Sequence, residues 1–206
     1  MHIVSVNVGR RGVLRRGNRS EASGFDKRPV DGPVHVSTLG IADDTIVDTR
    51  YHGGPHRALL LYPGKHYDAW RADGWDLPPG GFGENLTIDT FDETTARIGD
   101  VLACGDLVVQ VSQPRQPCWK IDARWETKGL TQTALKTGRN GWYVRVLAEG
   151  EVGVGSVFEV RERGDERFTV QAVHDAMNQR KRLDKYVRRS LANYEPLNPE
   201  WREEFA

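Results

Sequence analysis

The segment Val111-Ser112-Gln113-Pro114-Arg115-Gln116-Pro117-Cys118-Trp119-Lys120 sets one thiol among two cations and two prolines. Positive charge beside a cysteine favours the thiolate, the form that acts as nucleophile or soft metal ligand. The prolines remove backbone donors and stiffen the chain, so the segment is predicted to be a fixed loop rather than the middle of a sheet. A lone cysteine can equally be a small buried apolar residue. Cys104, in Val101-Leu102-Ala103-Cys104-Gly105, reads that way.

Three further clusters hold residue types with chemistry in them. Tyr51-His52-Gly53-Gly54-Pro55-His56-Arg57-Ala58-Leu59 is strong turn material at Gly-Gly-Pro, and that same interruption keeps His52 and His56 from sharing a helical face as a zinc pair does. Gly80-Gly81-Phe82-Gly83-Glu84-Asn85-Leu86 reads as a loop, and consecutive N–H groups in such a loop can also cradle an anion. Gly138-Arg139-Asn140-Gly141-Trp142-Tyr143-Val144-Arg145 reads as a helix stop feeding a strand, with Arg145 as a cation to spare. The chain has no GxxxxGK[ST], GxGxxG, GxSxG or HExxH motif, which argues against ATP, NAD, serine-hydrolase and helical zinc chemistry.

Positioning these clusters requires many short strands. The 206 residues include 22 glycines scattered between runs rich in Val, Ile and Leu. Strands are predicted at 3–8, 34–37, 45–48, 57–62, 86–88, 101–104, 107–112, 142–147 and 156–161, with helices at 64–72 and 130–137, the latter ending on Gly138. A mainly β domain over residues 1–163, closed or nearly closed into a barrel with a few helices, is the expected architecture. Beyond residue 164 glycine gives way to helical spacing. Thr169 caps a helix carrying Val170, Val173 and Met177; Leu183, Val187 and Leu191 mark a second; Asn198 and Pro199 start a third carrying Trp201 and Phe205. Residues 164–206 are therefore expected to form an all-α three-helix extension that packs on the sheet or on a partner, since such helices are too short to stand alone.

Charge narrows the function classes. Lys+Arg and Asp+Glu both number 29, so the chain carries no global attraction to nucleic acid or to an anionic membrane. The longest apolar run, Ala58 to Tyr62, is far short of the ~20 residues of a membrane span. The amino terminus lacks the apolar core of a signal peptide, which predicts a cytoplasmic protein. Locally the balance shifts: Asp68 to Asp106 holds nine acidic and two basic residues, whereas Arg115 to Arg145 holds seven basic and two acidic. An anion is expected in the second stretch.

In order, HGGPHRAL, FGENL, the Gly99-Asp100 pair, VSQPRQPCWK and GWYVRV resemble the MOSC domain, the carboxy-terminal domain type of molybdenum cofactor sulfurase, and within it the YiiM-like branch. The resemblance covers about residues 1–160, and the helical tail is similar to the extension of that branch. It implies a β-barrel that binds molybdenum on a phosphate-bearing pterin dithiolene, the molybdopterin cofactor, with Cys118 as the protein's ligand to the metal. It also implies that His52, Gly53, Gly54, Arg57, Glu84, Asn85, Ser112, Arg115, Lys120 and Arg145 hold the cofactor, and that Gln113 and Tyr143 face the substrate. The chemistry agrees: a soft thiolate suits a dithiolene-bound metal, and cations suit a phosphate. His56 departs from the pattern, in which an acidic residue commonly precedes the arginine.

The implied activity is reduction of N-hydroxylated small molecules, hydroxylamino-purines or amidoximes, to amines. Two electrons must then come from outside, because the chain has no flavin, haem or iron–sulfur signature. An NAD(P)H-dependent flavoprotein is the expected donor, and a homodimer is an allowed assembly. Two other readings stay open: a carrier or sensor of the cofactor or of a persulfide on Cys118, and an interaction module whose basic helices dock a partner.

Overall fold

Between Leu107 and Pro114 the side chains of Leu107, Val109 and Val111 turn inward while Val108 and Gln110 stay half-exposed, and Trp142, Val144 and Val146 repeat that alternation. A period of two is the geometry of a strand with one buried face, and the two segments pair antiparallel. The computed structural model describes residues 1–49 and 51–206, with the backbone alone at Arg16 and Arg19. Its strands are β1 (Ile3–Gly9), β2 (Gly12–Arg16), β3 (Arg19–Ser23), β4 (Lys27–Pro29), β5 (Val34–Ser37), β6 (Gly40–Ile41), β7 (Leu59–Pro63), β8 (Leu86–Ile88), β9 (Val101–Cys104), β10 (Leu107–Pro114), β11 (Trp142–Ala148), β12 (Gly150–Val152) and β13 (Glu159–Glu162). Its helices are α1 (Lys65–Ala72), α2 (Lys120–Arg124), α3 (Leu130–Thr137), α4 (Val170–Asn178), α5 (Lys185–Ala192) and α6 (Pro199–Phe205), with a 3-10 turn at Arg180–Arg182.

Eight strands form one mixed sheet in the order β13-β9-β10-β11-β7-β8-β1-β4, in which β7 and β8 alone run parallel. A smaller sheet, β12-β5-β6, and the β2–β3 hairpin complete the strands. The expected closed barrel is corrected here, because the large sheet ends at β13 and β4, and its ladder does not join these edges. An isolated bridge between His2 and Val157 ties the start of the chain to the residues before β13 without closing the ladder. Helices supply the cover that closure would have given.

Leu59 and Leu61 of β7 enter the main apolar cluster, while Tyr62 joins Tyr67, Trp70, Phe82, Ile121 and Leu130 in a second cluster under α1, α2 and α3. With both its faces covered, β7 reads as a continuous apolar run instead of an alternation. Val170, Val173 and Met177 of α4, Leu191 of α5, and Trp201 and Phe205 of α6 belong to the main cluster. Each of these three helices starts on a side-chain cap: Thr169 accepts from the Ala172 amide, Asp184 from those of Tyr186 and Val187, and Asn198 from that of Glu200.

Thr45–Asp48 is not a strand. It is part of a loop held against two glycines: a Cβ on Gly24 would lie 1.8 Å from the Thr45 carbonyl oxygen, and the Thr45 amide donates to the Gly9 carbonyl at 2.9 Å. Val111–Lys120 is likewise not a loop throughout. Its first four residues finish β10, with Pro114 as the last strand residue, where a missing N–H costs little, and its last residue opens α2.

The turn that feeds β11 is held from beneath by Glu93. Its buried carboxylate accepts from the Asn140 and Gly141 amides at 3.1 and 2.7 Å and meets His66 Nε2 at 2.8 Å. Removing the acceptor strands two buried N–H groups, each worth about 1–3 kcal/mol. Glu93→Ala is therefore expected to lower stability by at least about 2 kcal/mol in urea unfolding, against a change within about 0.5 kcal/mol for Asp68→Ala on the exposed face of α1. Equal midpoints for the two variants would refute this role.

Candidate functional site

Strands of the large sheet, the loops beside them and the covering helices meet in one cleft. Left-handed φ values of 72° and 81° at Gly53 and Gly54 bend the HGG turn, and a Cβ on Gly53 would lie 2.6 Å from Ile46 Cδ1. Glycine is required there by conformation and by space. The turn delivers His52 and Arg57, β10 delivers Gln113, the loop after it delivers Cys118, α2 begins with Lys120, and β11 delivers Tyr143. All six line a cleft of about 570 Å³. Asp48, Tyr51, Gln116, Pro117, Trp119, Met177, Arg180, Glu200, Trp201 and Glu204 complete its walls. A narrower recess of about 70 Å³ shares Asp48, His52, Arg57, Lys120 and Tyr143 with the cleft and adds Gly53, Asn85, Lys27 and Asp44.

Cys118 is a free, half-buried thiol. Its carbonyl accepts from the Ile121 amide at 3.1 Å and the Thr131 hydroxyl at 3.3 Å, which fixes the backbone that carries it. Arg115 is buried beside the cleft at 2% exposure. Its Nη2 donates to the Phe82 carbonyl at 3.0 Å, whereas Nε and Nη1 have no partner among the described residues. Burial first, then the cations Lys120 and Arg115, pushes His52 down to about 4. Burial raises the Tyr143 hydroxyl above its ordinary range despite Arg115 nearby, so Tyr143 is a proton-bearing donor at neutral pH. Its oxygen lies 3.5 Å from His52 Nδ1.

Several other residues from the sequence-predicted set have different duties. Glu84 is fully buried and accepts from the Gly80 and Phe82 amides at 2.7 and 3.1 Å and from the Thr87 hydroxyl at 2.8 Å, so it shapes its own loop and does not reach the cleft. The buried Ser112 hydroxyl lies 2.6 Å from the His56 carbonyl oxygen and 3.0 Å from that of Tyr143, stapling β10 to its neighbours. Arg145 points with Tyr143 from β11 but is drawn under the carboxy-terminal segment, donating to the Pro196 carbonyl at 2.8 Å and to Gln110 Oε1 at 3.3 Å. Gly54 bends the turn without lining the cleft. Asn85 lines the recess, but its oxygen accepts from the Leu60 amide at 3.1 Å and its nitrogen donates to Asp44 at 2.9 Å. Gln113 Oε1 accepts from the Asn198 side chain and its amide nitrogen donates to the Pro114 carbonyl at 3.4 Å, which leaves one amide hydrogen uncommitted.

Sequence reasoning missed the wall given by the carboxy-terminal helices. Arg57 donates to both oxygens of Glu200, at 2.6 and 3.2 Å, which fastens α6 to the HGG turn. Met177 and Trp201 sit at helical core spacing and carry no signal that they also face a cleft. Lys27, paired with Asp44 at the recess, comes from a three-residue strand without a motif.

Residues 48–159 match the MOSC domain, a span that contains His52, Arg57, Arg115, Cys118, Lys120 and Tyr143. The chain belongs to the MOSC domain family. It is 36% identical to the uncharacterised protein YflK of Bacillus subtilis over 85% of this chain and 82% of that one, and 34% identical to protein YiiM of Escherichia coli over 74% and 70%. A Gibberella moniliformis protein named Reductase is 33% identical over 77% of this chain, a stretch that makes up 29% of its own length. The crystal structure of YiiM from Geobacillus stearothermophilus superposes with a TM-score of 0.82 at 31% identity, covering 99% of this chain and 96% of that one. The MOSC match leaves out the helices that supply Met177, Arg180, Glu200, Trp201 and Glu204 to the cleft. No helix among the described residues is long and apolar enough to cross a membrane.

The electrostatics of this MOSC cleft give a pH signature. His52 has a folded pKa of about 4 against 6.5 for the free side chain, so the unfolded chain takes up the proton first as pH falls. Its contribution to stability is intact above pH 6.5 and is lost progressively towards pH 4. Urea midpoints measured from pH 7 to pH 4 are expected to fall less steeply for His52→Gln than for the native chain. Parallel curves across that window would exclude a buried neutral imidazole at this site.

Proposed function

We propose that this chain is a molybdenum-cofactor-dependent oxidoreductase that reduces N-hydroxylated small molecules, such as hydroxylamino-purines and amidoximes, to amines. The observation that carries the reading is a half-buried free thiol, Cys118, in one cleft wall with a buried arginine beside it that keeps two donors unpaired. A buried cation without an anion is costly, and a phosphate-bearing ligand would supply the charge. The donor set fits the cofactor: one thiolate for a metal already bound by sulfur, and Arg115 and Lys120 for phosphate or pterin oxygens. MOSC membership and the relative named Reductase favour the same class of chemistry.

When bound, the molybdenum pterin supplies the two-electron reduction of the N–O bond. The chain's own groups do the rest. Cys118 holds the metal; Lys120, Arg115, His52, Gly53 and the recess around Asn85 hold the pterin and its phosphate. Arg57 is committed to Glu200, so it positions the HGG turn and the α6 wall together. Tyr143, kept protonated by burial, presents an O–H that can hydrogen-bond the substrate's hydroxyl oxygen, and the Gln113 amide nitrogen orients the substrate from the same side. Met177 and Trp201 provide an apolar wall for a planar ring.

The test compares the native chain with Cys118→Ala, both purified from a host that makes the cofactor. Native protein is expected to hold near-stoichiometric molybdenum and to reduce a hydroxylamino-purine with reduced methyl viologen. The variant is expected to lose the metal and at least about 100-fold in turnover, beyond the roughly 10- to 100-fold typical of disturbing outer-shell groups. Undiminished metal and turnover in the variant would falsify the ligand role. Native protein that is loaded with cofactor but never turns over would instead support the carrier reading.

A further inference from the structure

From Arg180 to Arg189 the chain carries six cations and one carboxylate, Asp184. Every one of these charged side chains is exposed, and between them stand Tyr186 and Val187, 70% and 42% exposed. Three of the cations have partners: Arg180 pairs with Glu204 at 3.2 Å, Arg188 donates to the Phe205 carbonyl at 2.8 Å, and the Lys185 ammonium lies 5.0 Å from the Tyr186 ring centroid. Lys181, Arg182 and Arg189 make no ion pair or side-chain hydrogen bond among the described residues. Like charges crowded along the exposed 3-10 turn and α5 repel one another, a cost that packing alone does not explain. Its place in the fold supplies a use, because the strip begins at Arg180, which lines the cleft wall across from Cys118.

We infer that the Lys181, Arg182 and Arg189 surface, with Tyr186 at its centre, docks the acidic face of a reduced flavoprotein that delivers electrons to the cleft. The inference rests on the reductive reading of that cleft. The reaction it serves balances as R–NHOH + FlH2 → R–NH2 + H2O + Fl: the N–O bond breaks, the hydroxyl oxygen leaves as water, the nitrogen gains two electrons and the flavin hydroquinone loses them. The chain has no GxGxxG dinucleotide loop, which favours a reductant delivered by another protein. Charge complementarity decides the kind of partner. A net positive strip steers an acidic surface, and the exposed tyrosine and valine give the encounter an apolar centre. Outside this strip the chain carries 23 Lys+Arg against 28 Asp+Glu, which gives a long polyanion such as nucleic acid no extended track.

The experiment uses cofactor-loaded full-length protein and Lys181→Glu/Arg182→Glu/Arg189→Glu. These three exposed residues are outside the cleft lining, and Arg180 and Arg188 keep their bonds. Reduction of a hydroxylamino-purine is followed with reduced methyl viologen and with reduced flavodoxin, a small acidic FMN protein, at low and high salt. The expected result is equal rates with viologen, and with flavodoxin at low salt a loss of roughly ten- to a thousand-fold in the variant that high salt imposes on the native chain as well. Equal loss with both reductants, no loss with flavodoxin, or native turnover with flavodoxin that is insensitive to salt would each overturn the docking assignment. Absence of native turnover with viologen would instead count against the reductive reading itself. Direct titration with flavodoxin remains informative in that case, since salt-dependent binding by the native chain and not by the variant still supports the surface. Co-sedimentation of the native chain, and not the variant, with phosphatidylglycerol vesicles would reassign the strip to a membrane surface.

Discussion

Holding a guanidinium out of water is costly unless its donors are met, and Arg115 is held out of water with two of them unmet. That constraint organises what surrounds it. The loop carrying Arg115 is pinned by a hydrogen bond from its own amide to the Gly141 carbonyl, so the end of β10 and the start of β11 cannot separate without moving the charge. Its one satisfied donor reaches the Phe82 carbonyl and ties the glycine-rich loop to the same point. The field of this cation helps, with that of Lys120, to keep His52 neutral, and with that of Arg57 it opposes the rise that burial gives Tyr143. Burying a charge in this way costs stability that an entering anion would return as binding energy.

The cleft is assembled from two kinds of structure with different tolerances. Its floor is sheet and turn: β10, β11 and the HGG turn are locked by ladder hydrogen bonds, by the Ser112 staple and by a glycine that has no room for a Cβ. Its opposite wall is made of α4, the turn after it and α6, whose Trp201 and Met177 share the main apolar cluster while lining the cleft. The bidentate contact of Arg57 with Glu200 joins the two halves. Because Glu200 is largely exposed and Arg57 is not, the pair is worth more as a fixed geometry than as net stability. The MOSC segment thus supplies the sheet side of the cleft, and the helices outside it supply the opposite wall.

How far the sequence revealed this depends on whether a residue's role follows from its neighbours in the chain. Val34–Ser37, Leu86–Ile88, Val101–Cys104 and Leu130–Thr137 have the boundaries that their patterns predict, because turn residues or glycine flank each one. The β2–β3 hairpin escaped, since its alternation is nearly all polar and only its partner strand defines it. The loop at Thr45–Asp48 looked like a strand because its Thr, Ile and Val suit one, and what overrides that preference is the approach of two distant glycines. Cys118, Lys120, His52, Arg57, Gln113 and Tyr143 were legible as a set because motif order placed them together. Arg145 and Glu84 belong to the same motifs, yet their contacts lie with Pro196 and with the loop's own amides, which no spacing discloses.

The carboxy-terminal helices show why packing and function need not compete for a residue. Trp201 is 6% exposed and Met177 4%, values that mark core side chains, and both also line the cleft. A wall of this kind is rigid because its residues are fixed from behind by the main cluster, and rigidity in a binding wall reduces the ordering cost of each ligand it receives. The outer side of the same segment is the reverse: Lys181, Arg182 and Arg189 are exposed and make no ion pair or side-chain hydrogen bond among the described residues. The carboxy-terminal segment thus gives the cleft a firm apolar face from α4 and α6 and gives solvent a charged one from the 3-10 turn and α5, with the Arg180–Glu204 pair at the cleft wall.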